Sequence, residues 1–161
     1  ITSANSVSGA LLGSNTHIYP LPFYLNSSPV NWQSFNGDNA NQFSHLNSND
    51  GDNSYAYSNT NGDTSLFNVD DLPNGSPSNV GGIKLQNNIK KTALANNTLF
   101  TNVMTSGNGG SITNIGSTYT INNNSYASKN SFVFTNPITG SGWTKNDINN
   151  MQIGIKNLGN A

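Results

Sequence analysis

The chain has no cysteine, no arginine and no glutamate. Without thiols there is no disulfide framework, no thiolate nucleophile and no Cys-ligated zinc, and the redox compartment stays open. Without arginine there is no bidentate donor for phosphates or base edges. The 6 basic residues are all lysines, the 7 acidic residues are all aspartates, and the net charge is −1. Such a balance offers no basic face to a nucleic acid. Charged residues make up only 8% of the chain, so hydration rests on amides and hydroxyls, which suits a protein held in an assembly. Long apolar runs are missing too. Stretches such as Ala10-Leu11-Leu12 fall far short of the ~20 residues a membrane-spanning helix needs, and no membrane insertion is expected. The chain opens at Ile1 rather than at a methionine, which reads as a processed or truncated front.

What fills the space is asparagine, about a fifth of the 161 residues, with serine, threonine and glycine, all against ordinary usage. Polar tracts of this kind can leave a chain unfolded. Here, however, the apolar residues come in short alternating bursts that contain the aromatics, as expected of many short strands joined by polar loops. The length fits one domain with one core. No composition shift divides it and no solenoid period is visible. Residues 1–16 read as an extended N-terminal arm, and 17–161 as a β-sandwich domain.

The prolines of Tyr19-Pro20-Leu21-Pro22-Phe23-Tyr24 favour an edge strand. Trp32, Phe35, Phe43 and Leu46 form the next apolar cluster. Tyr55-Ala56-Tyr57 and Leu66-Phe67-Asn68-Val69 flank Asn61-Gly62-Asp63, a hairpin signal. Ile83, Leu85, Asn87 and Ile89 alternate with Lys84, Gln86, Asn88 and Lys90, the period of a half-buried strand, with Asn87 interrupting the apolar face. Further strands are expected at Leu99–Met104, turned by Asn108-Gly109-Gly110 toward Ile112 and Ile115, then at Tyr119 with Ile121 and at Phe132-Val133-Phe134. The last is expected at Met151–Ile155, with Ile153 and Ile155 inward. One helical turn is expected, because Thr144-Lys145-Asn146-Asp147 has the form of a capping box. Eight to ten short strands, in two antiparallel sheets, follow.

Residues with chemistry are few. His17 and His45 have no carboxylate or second histidine at a metal-ligand spacing, and no nucleophile-elbow signature occurs. The chain therefore reads as a non-enzyme, without an organic cofactor. Asp50 and Asp52, with Asn53 and Ser54, place oxygen ligands in one loop that would suit a structural calcium, although the spacing is not that of an EF-hand and no glutamate is present to close one. Ordinary Asx turns explain the same residues. Tyr55, Tyr57, Tyr119 and Tyr126 are candidate stacking faces for a glycan; cross-strand packing with hydroxyls at the rim is the plainer explanation. Sequons begin at Asn26, Asn74, Asn96 and Asn123, as expected by chance in such a composition.

Two stretches carry a resemblance. The first is Asn49-Asp50-Gly51-Asp52-Asn53-Ser54-Tyr55, which follows Trp32 and leads through Gly62-Asp63 to Leu66-Phe67. The second is Thr135-Asn136-Pro137-Ile138-Thr139-Gly140-Ser141-Gly142-Trp143-Thr144, continuing through Asp147-Ile148-Asn149 to Ile153-Gly154-Ile155-Lys156. Their order and separation resemble a family of phage and virus structural proteins, with Gly82-Ile83-Lys84-Leu85 in the place of its central strand. The likeness covers residues 18–158. Of its parts, the C-terminal motif is the more specific. The high asparagine content, the missing arginines and the polar residues 1–16 depart from the family pattern.

The resemblance implies a jelly-roll or lectin-like sandwich used in capsid decoration, a head fibre or a tail, contacting other virion proteins in repeated copies. It implies no active site. In the closing motif Pro137 would end a strand, Gly140 would allow a bend, Trp143 would plug one end of the sandwich, and Thr144 with Asp147 would start the helical turn. A module binding host-surface glycans and a secreted or pilus-type cell-surface subunit are the alternatives.

Overall fold

The computed structural model describes residues 18–47, 50–92, 98–107, 109–122 and 124–160. The expected arm at 1–16, and His17, lie outside them. The described residues build an antiparallel, all-β sandwich. Its strands are β1 (Phe23–Val30), β2 (Gln33–Ser34), β3 (Ala56–Tyr57), β4 (Thr64–Val69), β5 (Asn79–Val80), β6 (Ile83–Ile89), β7 (Thr98–Thr105), β8 (Thr113–Ile121), β9 (Ala127–Val133), β10 (Trp143–Thr144) and β11 (Gln152–Asn160).

The larger layer is a five-stranded sheet in the order β1-β4-β11-β7-β8. The facing layer is built from the pair β6-β9 and the short pair β5-β10, joined by a bridge between Thr135 and Gly142. Between the layers lies one apolar cluster. Met104, Ile115, Ile153 and Val69 come from the large sheet, and Leu85, Trp143 and Ile148 from the other side. β1 stands at an edge of its sheet, where Pro29 needs no ladder partner for its missing N–H.

Several expectations are corrected. The turn at Asn61-Gly62-Asp63 does not join a hairpin, because its arms go to different partners. β3 pairs with β2, and β4 pairs with β1 and β11. The turn's own backbone is claimed by β11: Gly62 N donates to Asn157 O (2.8 Å) and Asn157 N to Asp63 O (2.9 Å). A two-residue arm at β3 cannot compete with that ladder. β8 is continuous through Ile115, Tyr119 and Ile121, not two strands. Ile155 is only half-buried. Helix is not confined to one turn: besides α2 (Lys145–Asn150) there is α1 (Gln42–Leu46), with 3-10 turns at Asn39–Asn41 and Gly51–Asn53.

The asparagines explain how so polar a chain holds its loops. An amide carries both a donor and an acceptor, so it can stand in for a strand partner. Asn47 does so at the sheet edge, where its Oδ1 accepts from Phe23 N (2.9 Å) and its Nδ2 donates to Phe23 O. Asn26 ties down the segment after β2: its Nδ2 donates to Asn39 O and Ala40 O, and its Oδ1 accepts from Phe43 N. Asn149 Oδ1 accepts from Leu72 N (3.0 Å) across the sandwich end.

The same chemistry explains the interruption of the β6 pattern. Asn87 faces Asn102 of β7, and the two amides exchange bonds of 2.9 and 3.1 Å between the layers. Asn102 is 4% exposed and also donates to Gly154 O (3.2 Å). Asn102→Leu strands the Asn87 amide and is expected to cost about 1–3 kcal/mol in urea unfolding, while adding Asn87→Leu should recover part of that loss. Equal stability of wild type and single variant would show that the pair contributes nothing.

Candidate functional site

β6 and β9 end together, with Ile89 paired to Ala127. Lys90 and Tyr126, the next residues outward, are therefore neighbours, and the Lys90 ammonium lies 4.7 Å from the Tyr126 ring centroid. The Gly51–Asn53 turn brings Asp52 to both. Lys90 Nζ donates to Asp52 Oδ1, and Tyr126 Oη donates to Asp52 Oδ1 (2.9 Å) and Gly51 O (3.0 Å). This is the one ion pair among the described residues. The hydrogen bonds from Lys90 and Tyr126 hold the Asp52 carboxyl below its ordinary range. Burial first, and the hydrogen bond to Asp52 second, push the Tyr126 hydroxyl up to about 12.

Asp50 turns to its own loop, with Ser54 Oγ donating to Asp50 Oδ1 (2.6 Å). Asp50 and Asp52 both act on Tyr126, and a divalent cation at this loop would compete with the Lys90 ammonium for the same oxygen of Asp52. Among the described residues no group of three or more His, Asp, Glu or Cys side chains could hold a metal.

Three of the candidate tyrosines stay near one another, with Tyr126 close enough to Tyr55 to feel its charge, and Tyr119 stands apart. Tyr55 and Tyr57 belong to a row with Phe35, with ring centroids 5.5 Å apart for Phe35–Tyr55 and 6.2 Å for Tyr55–Tyr57. His45 of α1 stands edge-on to Phe35 at 5.2 Å. Phe35 and Tyr57 are exposed, and Tyr57 Oη donates to Gln33 Oε1 (2.8 Å). The row is an open ledge. Tyr119 is not part of it: its ring stacks on Phe100 at 5.2 Å, and its hydroxyl is buried without a partner among the described residues. Phe35 was legible only as an apolar residue, because its ledge role depends on β2 pairing with β3.

In the closing segment, β9 ends at Val133, before Pro137. Asn136 N donates to Ser141 O and Gly140 N to Asn136 O, both at 2.8 Å, closing a turn in which Gly140 has φ +71°. Trp143 is 1% exposed within the core cluster, and its Nε1 donates to Val133 O (2.9 Å). Thr144 and Asp147 form a complete capping box: Thr144 Oγ1 accepts from Asp147 N (3.1 Å) and Thr144 N donates to Asp147 Oδ2 (2.8 Å). At the Asn26 sequon the amide is already spent on Asn39 and Ala40; Asn96 and Asn123 lie outside the described residues.

The outer face of β6-β9 carries what the sequence did not flag. Phe132 pairs with Lys84 and is 64% exposed, and Phe134 beyond it is 69% exposed, with Ile138 exposed in the following turn. The Phe134 ring lies against Gly82, where an added Cβ would come within 2.9 Å of it. Comparison of the chain with protein-family models, curated proteins and solved structures finds no match.

Proposed function

We propose that the chain is a non-enzymatic structural subunit of a virus or phage particle, a capsid-decoration, head-fibre or tail component present in repeated copies. The observation that carries the assembly half is the pair of phenylalanines standing out from the β6-β9 face. Large apolar side chains grouped on a sandwich with few charges mark a contact surface. The virion half comes from the resemblance of the Asp50–Tyr55 loop and the Thr135–Lys156 stretch, and the occupant of the face is a neighbouring copy of this chain.

Sedimentation is expected to show a concentration-dependent oligomer. Phe132→Ser with Phe134→Ser should return the monomer while changing folding stability by no more than about 0.5 kcal/mol, as surface substitutions do. A wild-type chain that stays monomeric at high concentration would remove the assembly role.

A second reading is favoured by the Phe35-Tyr55-Tyr57 ledge. The exposed rings of Phe35 and Tyr57 beside Gln33 offer stacking and a hydrogen-bonding amide to a host-surface glycan. The two readings are compatible, since the ledge lies on and beside β2 and β3 and the phenylalanines on and beyond β9.

A further inference from the structure

Where β7 runs out, a cavity of about 200 Å³ opens among Met104 and Ser106 at the strand end, Asn136 in the closing turn, and Asn146, Asp147 and Asn150 of α2. Neither the assembly face nor the aromatic ledge includes these residues. We infer that this cavity is a binding site for a single neutral sugar ring.

Its polar groups are only partly used by the fold. Asn136 is 3% exposed; its Oδ1 accepts from Ile138 N (2.9 Å), and its Nδ2 has no acceptor among the described residues. Asp147 Oδ2 takes both bonds from Thr144, so Oδ1 is left over. Asn150 Nδ2 donates to Asn146 Oδ1 (3.1 Å), which leaves the Asn146 Nδ2 donor and the Asn150 Oδ1 acceptor. Two amide donors and two amide or carboxylate acceptors remain, beside the hydroxyls of Ser106 and Thr139, around a wall that includes the core residue Met104.

Each sugar hydroxyl both donates and accepts, so neighbouring hydroxyls match mixed amide and carboxylate partners, and the C–H face of the ring matches an apolar wall. Other ligand classes fit less well. The Asp147 carboxylate repels an anion, and Lys145, beside it in sequence, spends its ammonium on Pro73 O (2.9 Å). A hard divalent cation takes 6–8 oxygen ligands, usually several carboxylates, and only one carboxylate lines the cavity. In size the cavity is below the range of drug-sized pockets, roughly 300–1,000 Å³, which points to one ring rather than an oligosaccharide.

The test is an amide-resolved NMR titration of the whole chain with glucose, galactose, mannose and N-acetylglucosamine, each at millimolar concentration. At least one is expected to give saturable shifts at Asn136, Asn146 and Asn150. The double variant Asn146→Ala/Asn150→Ala should bind about tenfold more weakly, the loss of one to two hydrogen bonds, with an unchanged melting temperature. Should that variant misfold, Asp147→Asn retains an acceptor for Thr144 while replacing the free oxygen with a donor, and it too should weaken binding. No saturable shift with any of the sugars, shifts confined to Phe35, Tyr55 and Tyr57, or cavity shifts unchanged in the folded variants would each overturn the inference. The assembly role is read separately, by sedimentation.

Discussion

Trp143→Ala is expected to lower the unfolding free energy by about 3–5 kcal/mol. The indole is the largest fully buried side chain and meets residues of both layers in the core cluster. Removing it opens a cavity where the Thr135–Gly142 bridge and the β5-β10 pair come together, and it leaves Val133 O without the Nε1 donor. Trp143→Phe should cost less, because it refills most of the volume and loses mainly the hydrogen bond. Urea unfolding measures both. A Trp143→Ala protein within about 1 kcal/mol of wild type would mean that the indole does not close this end of the sandwich.

Gly154→Ala is expected to cost about 3 kcal/mol or more, at the upper end for overpacking. Gly154 sits on β11 between Leu66 of β4 and Val103 of β7. A Cβ there would overlap Ser65 O and lie 2.9 Å from Leu66 Cα. The obstacle is backbone, so no side-chain rotation relieves it, and β11 must part from β4 in the middle of the five-stranded sheet. Gly140→Ala is the informative control. Gly140 needs a left-handed backbone but has nothing within 4 Å of an added Cβ, so it should cost only about 1–2 kcal/mol of conformational strain. Equal, small losses at the two glycines would contradict the close approach of β4 and β11.

These two residues also show what the sequence could and could not disclose. The motif flanking Trp143 was legible because the signals are local: a capping box depends on residues three apart, and a proline-glycine turn on its own dihedral preferences; the plugging role of Trp143 itself came with the resemblance. β6 was legible from alternation, β7 as an apolar burst, and β11 only over its first residues. Gly154, in contrast, looks like any glycine until two strands distant in sequence are placed beside it. Pairing of β3 with β2 rather than β4 was hidden for a similar reason. The Asn61-Gly62-Asp63 signal is real as a turn, but partner choice is decided by β11, nearly a hundred residues further along.

Candidate-site residues follow the same division. Tyr55 and Tyr57 are close in sequence and remain close in the fold, and Tyr126 comes near Tyr55 with its hydroxyl held by Asp52, whereas Tyr119 is drawn away by Phe100. Nothing local to Asp52 indicates Lys90 as its counter-ion; that contact requires β6 and β9 to end in register. Nor does alternation alone distinguish Phe132, which stands outward, from Leu85, which is buried in the core. Asparagine abundance was visible as composition, while its use as a set of substitute backbone partners emerges only from the contacts of Asn26, Asn47, Asn87 and Asn149.

The most direct measurement of the central claim is quantitative mass spectrometry of purified virus or phage particles that encode this chain. The account predicts the chain as a stable constituent, retained through washing and present in a copy number that matches the symmetry of the capsid or the tail. Its absence from particles, together with its recovery from surfaces of cells that carry no virus, would contradict the assignment.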